Sequence, residues 1–403
     1  MLEIVPVTTA KERRAFVDLV WQLYKDDPHW VPPLHSDMLK TLSPKHNALL
    51  RLGPNCYFLA RQGGKIVGRI GCGIDTLLNK AKNQNLGYIT LFESIQDYKV
   101  AEALFDAALD FLRAHGAAKV TGPQSPSNGD DYRGLLVDGF DGPPALLASY
   151  NPSWYQDFFV KYGFTKQFDR LGFWFSLDEI PEKLVRGVEL AQKRYKFTVR
   201  PVDMKNIEAE ILAIKHITDK STPDEWPDMI SPSLEEVRAE VKNLLPLVVP
   251  ELIYIAEAED GEPIGLSIAL PDYNQVIKRM NGKLFPLGWA KFLYFKNKVR
   301  LARLFALMVI PEYHRKGVSA ALYRYRRRKN WAIPAATPAA FTSSTSKSTT
   351  TPWGRGARNT AASAFTNSPF KGRPLLPFLG ASPDGTDSCS RIFDKKHLAV
   401  GTA

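Results

Sequence analysis

The sequence predicts an α/β (α+β) fold of two tandem mixed-sheet domains, the second incomplete, followed by a low-complexity tail. Three observations predict it. A strand–turn–strand unit occurs twice, about 196 residues apart, a domain-sized repeat. Strand-like and helix-like periods alternate around each copy, the mark of an α/β or α+β sheet. After residue 330 the composition changes: Ala, Ser, Thr, Pro and Gly supply 44 of the last 73 residues, and no period persists.

The first copy opens with a strand at Glu3–Val7. Thr9 and Glu12 match a capping box, in which each side chain satisfies the other residue's backbone N–H. Phe16, Leu19, Val20 and Leu23 follow at helical spacing, and Pro28 marks the stop. Tyr57–Gly68 reads as a hairpin because Gly63-Gly64 supplies its turn. A strand at Gly87–Phe92 leads to a helix striped by Val100, Leu104, Ala107, Ala108, Phe111 and Leu112, which ends at Gly116. Lys119–Gly122 is the next strand. Asn151-Pro152 opens a helix ending at Tyr162-Gly163-Phe164, and aromatic strands run to Phe175.

The order restarts at Phe197–Val202, and the second hairpin, Ile253–Gly265, turns at Asp260-Gly261. The expected organisation is a domain over residues 1–175, a connector helix over 176–196, a second domain over 197–330 and a tail over 331–403. Pro334 and Pro338 cut the helix that should run on from Ser319. The second domain then lacks its closing elements and leaves a sheet edge open. Phe341–Thr351 is low complexity of the disordered type. The abrupt change after about Arg328 fits a shifted reading frame as well as a natural extension.

Composition excludes several classes. A hydrophobic share of 44% is that of a soluble globular protein. No apolar run approaches the ~18 residues of a span, so no membrane partner is expected. The N-terminus lacks the basic and apolar regions of a secretory signal. Cys56, Cys72 and Cys389 make no metal or disulfide framework, so a cytoplasmic setting and no metal site are expected. The net charge of +11 is uneven. Residues 276–330 carry fifteen basic residues and one acidic residue, Glu312, whereas residues 1–275 sum to −8. A general nucleic-acid binder spreads its charge over a face, so nucleic acid is not the expected partner. The basic segment suits an anionic cofactor or an acidic partner, or is a solvated surface.

Chemistry concentrates at residues 304–322. An apolar strand, Leu304–Ile310, meets Pro311. A short basic loop, His314-Arg315-Lys316-Gly317, then feeds the start of a helix at Val318-Ser319-Ala320. Unpaired N–H groups and the positive helix end converge there, which suits a phosphate or pyrophosphate.

This segment resembles the acetyl-CoA-binding motif of the GCN5-related N-acetyltransferase (GNAT) superfamily, a strand, then Arg/Gln-x-x-Gly-x-Gly/Ala, then a helix. Gly317 holds the fourth position, while His314 and Ser319 depart from the first and last. To about residue 328 the chain is similar to bacterial proteins with tandem GNAT folds, on Asp27–Leu34, Asn128, Asp138-Gly139-Phe140 and Leu270–Gln275. The resemblance implies an N-acetyltransferase with acetyl-CoA as acyl donor and a small-molecule or peptide amine as acceptor. It implies that Met308, Val309 and Ile310 hold the pantetheine. It implies that the amides of Arg315, Lys316, Gly317, Val318, Ser319 and Ala320 cradle the pyrophosphate, with His314 beside them.

A base must also deprotonate the ammonium, and an acid must protonate the thiolate. Glu257, Asp272 and Tyr273 are the candidates by chain order, with Glu257 and Tyr273 put first. In the first domain Asn151–Phe164 resembles the superfamily's α4 region. Glu93–Lys99 there has neither Gly nor paired bases, so that domain reads as a degenerate copy. Ser125–Asp131 either lines a cleft or is a surface loop. Two other readings stand beside the enzyme: a catalytically inactive GNAT-fold protein that binds CoA or a partner, and nucleic-acid contact through Arg324–Lys329. The acyl group, the acceptor and the oligomeric state, a homo-oligomer included, stay open.

Overall fold

The computed structural model describes residues 1–127, 131–176, 182–224, 229–324, 334–337 and 359–367. The first half runs β1 (Leu2–Pro6), α1 (Ala10–Leu23), α2 (His35–Thr41), β2 (Asn55–Gln62), β3 (Lys65–Gly73), α3 (Thr76–Ala81), β4 (Leu86–Ser94), α4 (Tyr98–Ala114), β5 (Lys119–Gly122), β6 (Leu135–Asp138), α5 (Tyr155–Tyr162) and β7 (Thr165–Ser176). Helix α6 (Glu182–Tyr195) leads to the second half. There follow β8 (Thr198–Pro201), α7 (Ile207–Ser221), α8 (Leu234–Leu244), β9 (Ile253–Glu257), β10 (Pro263–Pro271), α9 (Asn274–Met280), α10 (Gly288–Phe295), β11 (Ala302–Val309) and α11 (Val318–Arg324). Local chemistry sets the ends: Thr9 and Glu12 close the capping box of α1, and Gly63 and Gly64 turn the first hairpin at φ 58° and 80°.

Strand order across the sheet is β1-β2-β3-β4-β5-β13-β7-β12-β11-β10-β9-β8, where β12 is Pro334–Thr337 and β13 is Asn359–Asn367; β6 pairs with β13. The two copies mirror each other, with β1 to β4 on one side and β8 to β11 on the other. Each runs three antiparallel neighbours and then one parallel neighbour, β5 beside β4 and β12 beside β11. This is the tandem mixed sheet that the repeat foretold.

Two segments of the tail were not expected as strands. β12 takes beside β11 the place that β5 has beside β4, and β13 fills the space between β5 and β7. Open edges explain it. Unpaired N–H and C=O groups are satisfied by an extended segment that has no competing structure of its own. The rest of the tail, and with it the shifted-frame reading, lies outside the described residues. So do Asn128 and Tyr325–Lys329. Cys72 is a buried free thiol.

The larger core packs α4 on the first half of the sheet, with Leu104, Phe105 and Phe111 against Phe58, Ile70 and Ile89. In the second half Val318, Ala321 and Leu322 of α11 pack on Ile264, Val309 and on Val188 of α6. Helix α6 is thus part of the packing around α11 and not a bare connector. The α9–α10 excursion between β10 and β11 docks on the first half. Gly282 O accepts the His35 N–H at 2.9 Å, and Asn281 O accepts the Trp21 indole N–H at 3.3 Å. Gly282 has φ 69°, and a Cβ there would lie 2.2 Å from Pro33 O. Gly282→Ala is expected to cost about 2–4 kcal/mol through the left-handed backbone and the overlap. A lower urea midpoint at unchanged slope would show it.

Among the described residues no helix is long and apolar enough to cross a membrane. No group of three His, Cys, Asp or Glu residues among them is placed to hold a metal.

Candidate active site

Strand β11 ends at Val309, a short 3-10 turn spans Pro311–Tyr313, and the loop to α11 bends sharply. Arg315 at φ 60° and Gly317 at φ 82° are both left-handed and flank Lys316. The His314 N–H goes to Pro311 O at 3.0 Å and the Lys316 N–H to Tyr313 O at 3.3 Å. Among the described residues the amides of Gly317, Val318, Ser319 and Ala320 have no partner; the first helical bond is Ala321 N–H to Gly317 O at 3.0 Å. These free donors at a helix start form an anion nest. The Lys316 ammonium lies 4.5 Å from the centre of the Tyr313 ring. Ser319 is exposed. The His314 ring donates from Nε2 to Val309 O at 2.9 Å, which ties the loop to the strand.

Hydrogen-bond parity sets which edge of β11 each residue faces. The Ile310 N–H is donated to Ile264 O at 3.0 Å, so Ile310 and, two residues back, Met308 turn their backbone groups toward β10. Leu307 and Val309 therefore face the other edge. That edge pairs with β12 only at Ala302 and Arg303, so β11 is open beyond them among the described residues. A bulge at Phe305 re-aims the strand where the opening begins. Of Met308, Val309 and Ile310, expected to hold a pantetheine, Val309 turns its backbone to the open edge, as Leu307 does, while Met308 and Ile310 turn theirs to β10. No sequence signal marks this parity.

Glu257 and Tyr273 do not come together. Glu257 pairs with Pro263 at the start of β10, whereas Tyr273 lies just past its end at Pro271, about 26 Å of strand away. The Glu257 carboxylate accepts from Arg200 Nε at 2.8 Å, and Arg200 also holds buried Glu210 at 2.6 Å. The Tyr273 hydroxyl donates to Leu247 O at 3.2 Å, and its ring packs 5.3 Å from Phe292. Both side chains are committed to structural contacts.

Asp272, the third candidate, stands differently. It is buried, it accepts the Asn274 N–H at 3.1 Å, and its own N–H bonds Leu301 O beside the start of β11. Burial pushes its carboxyl up to about 7, against the Asn274 and Leu146 amides and the Arg303 charge, which pull it down. Arg303 is also buried and donates to Leu146 O at 2.5 Å. Sequence order missed Arg303, whose only signal is a charge inside an apolar strand.

The equivalent region of the first half is filled by its own groups. Strand β5 pairs with β4 only from Leu86 to Tyr88, so the same opening exists. There the Tyr155 hydroxyl accepts the Ser94 N–H at 2.7 Å and lies 2.9 Å from Glu93 Oε2. Tyr24 donates to that oxygen at 2.8 Å, and Arg69 stands 3.8 Å from the other. At the start of α4 the Asp97 carboxylate accepts the Lys99 N–H at 2.9 Å, so this helix end already holds an anion.

The chain is 33% identical over 303 residues to Protein YghO of Escherichia coli (strain K12), covering 74% of this chain and 76% of that protein. It is 33% identical over 304 residues to the bacterial ceramide synthase of Caulobacter vibrioides (strain NA1000 / CB15N), covering 73% and 76%. A solved structure with the same fold is the GCN5-related glucosamine N-acetyltransferase region of a fungal multi-domain β-N-acetylglucosaminidase. Its TM-score is 0.52 at 15% identity, over 91% of this chain and 38% of that chain, a likeness of fold alone. No protein-family model matches the chain. The chain has the GNAT fold, and it belongs to the family that includes Protein YghO and the bacterial ceramide synthase.

Proposed function

We propose that the chain is an acyl-CoA-dependent N-acyltransferase whose live site is the β11–α11 loop. The contrast between the two helix ends carries this reading. The start of α4 is capped by a carboxylate, while the start of α11 leaves the amides of Gly317–Ala320 free for a diphosphate. Catalysis then falls to residues 197–330 and a packing role to 1–175.

The donor, when bound, supplies an activated thioester carbonyl. The free amides meet its diphosphate, and Arg315 and Lys316 add charge that salt screens. The backbones of Leu307 and Val309 offer the pantetheine the pairing of an added strand. Asp272 takes the proton of the incoming ammonium, since a pKa near 7 suits a base at neutral pH. The amine nitrogen bonds to the acyl carbon as the C–S bond breaks, and the proton lost by the ammonium balances the one the thiolate takes up. A CoA-dependent reaction is expected to run in the cytoplasm.

The acetyl-CoA implied by the superfamily is the smallest donor. The name of the Caulobacter relative points further, to a fatty acyl group and a long-chain amino alcohol, because ceramide is the N-acyl derivative of such an amine. The test is calorimetric titration of the full chain with CoA, followed by thiol release from acetyl-CoA and palmitoyl-CoA in the presence of a long-chain amino alcohol. Saturable CoA binding and amide formation are expected. No CoA binding by folded protein overturns the reading. Binding without thiol release across an amine panel assigns the non-catalytic alternative.

A further inference from the structure

The connection between β10 and β11 carries a feature that acyl transfer does not use. Residues 278–300 hold seven Lys or Arg and no Asp or Glu. In the same stretch Phe285, Leu287, Trp289, Leu293 and Tyr294 are exposed at 78, 68, 51, 53 and 64%. Twelve large apolar side chains are exposed among the described residues, and five of them fall within ten consecutive positions. Single exposed apolar residues need no explanation, but such clustering does.

The cluster is built, not frayed. Helix α10 packs Phe292 and Phe295 inward, Phe292 against Tyr273 at 5.3 Å. Trp289 and Leu293, one turn apart, share the outer face. The base is pinned to the first half by the Gly282–His35 and Trp21–Asn281 hydrogen bonds. Arg279, Lys283, Lys291 and Lys298 of the same stretch are exposed with it, and the Lys298 ammonium lies 3.7 Å from the centre of the Tyr294 ring. The fold thus holds large apolar side chains in water on a fixed platform that also carries cations.

We propose that this platform docks on an anionic membrane surface. Phe285, Leu287, Trp289 and Leu293 enter the boundary of headgroups and acyl chains, and the lysines meet lipid phosphates. Charge complementarity selects this occupant. A second copy of the chain would set one cationic patch against another, whereas an anionic bilayer offers negative charge and an apolar layer at the depths where the patch needs them. The sequence predicts no membrane partner because it has no apolar run long enough to span a bilayer, and surface docking needs no such run. Docking here would bring a lipid amine to the Asp272 end of β11, but the proposal does not rest on acyl transfer.

The test is sedimentation of the full chain with two kinds of vesicle, pure phosphatidylcholine and an equal mixture with phosphatidylglycerol, without CoA. The chain is expected to bind the mixture and not pure phosphatidylcholine. Binding should weaken as salt rises. A Trp289→Ser/Leu293→Ser variant is expected to lose about tenfold or more in partition, and Lys283→Glu/Lys291→Glu a similar factor. Melting curves keep the comparison to folded protein, and the two variants alter independent surface positions. No binding to anionic vesicles, or wild-type binding by both variants, overturns the proposal. So does a dimer in light scattering that Trp289→Ser/Leu293→Ser dissociates, which would assign the patch to a second copy. Because CoA is absent, failure here is distinct from failure of the acyltransferase reading.

Discussion

Asp272→Asn is expected to lower kcat about 10²-fold or more while CoA affinity stays within about twofold. The substitution keeps the shape of the side chain and removes the group that takes the proton. Activity of the native protein should rise as pH climbs through about 7, where Asp272 ionises, and the variant should lack that limb. Stability gives an independent readout. The carboxyl titrates near 7 when folded and near its ordinary 3.8 when unfolded. Between those values the folded state holds the extra proton, so Asp272 lowers stability as pH rises from about 4 to about 7. The upper bound is about 4 kcal/mol, from 1.36 kcal/mol per unit of pKa. Urea unfolding at pH 5 and pH 8 should differ more for the native protein than for the variant. An equal difference in both would remove Asp272 from the mechanism.

Gly317→Val is expected to weaken CoA binding about 100-fold, the largest loss from one side chain in the loop. Two costs coincide. The backbone is left-handed at φ 82°, where a β-branched residue is strained, and a Cβ would lie 2.8 Å from the Ala191 Cβ on α6. The nest cannot keep its shape against both. Gly317→Ala should lose less, and adding Ala191→Gly to it should recover the part due to the clash but not the part due to φ. Titration calorimetry with CoA reads both, and circular-dichroism melting separates lost binding from lost fold. Wild-type affinity in Gly317→Val would show that the loop is not the diphosphate site.

Much of the fold was legible along the chain. The capping box at Thr9 and Glu12, the glycine turns at Gly63-Gly64 and Asp260-Gly261, and the stripe of α4 are local signals, and each stands where its residues put it. The loop at His314–Gly317 was legible for the same reason, since left-handed backbone and free amides depend on neighbours in sequence. The tail strands were not legible. Their pairing with β7, β5 and β11 answers open edges elsewhere in the sheet, not a period of their own.

The site residues divide along the same line. Sequence order gave Glu257 and Tyr273 as the first candidates, and three-dimensional placement sets them far apart. Glu257 sits with Arg200 at one end of the hairpin, and Tyr273 packs on Phe292 at the other. As a candidate Asp272 stood behind Glu257 and Tyr273 in the sequence; burial raises its pKa against the pull of the Leu146 amide and Arg303, groups that chain folding brings from more than 120 residues before it and about 30 after. The exposed tip at Phe285–Tyr294 reads in sequence as an ordinary apolar stretch in a basic region; only solvent exposure turns it into a surface.

By itself the sequence determined the tandem repeat, the family likeness and the anion loop, because these rest on turn chemistry, capping and periodicity within a few residues. Tertiary structure alone decided which edge of β11 is open, that Leu307 and Val309 face it, and that the first half closes its own opening with Tyr155, Glu93 and Asp97. Hydrogen-bond parity, burial and ionisation depend on what packs beside a residue, and no local pattern encodes its neighbours.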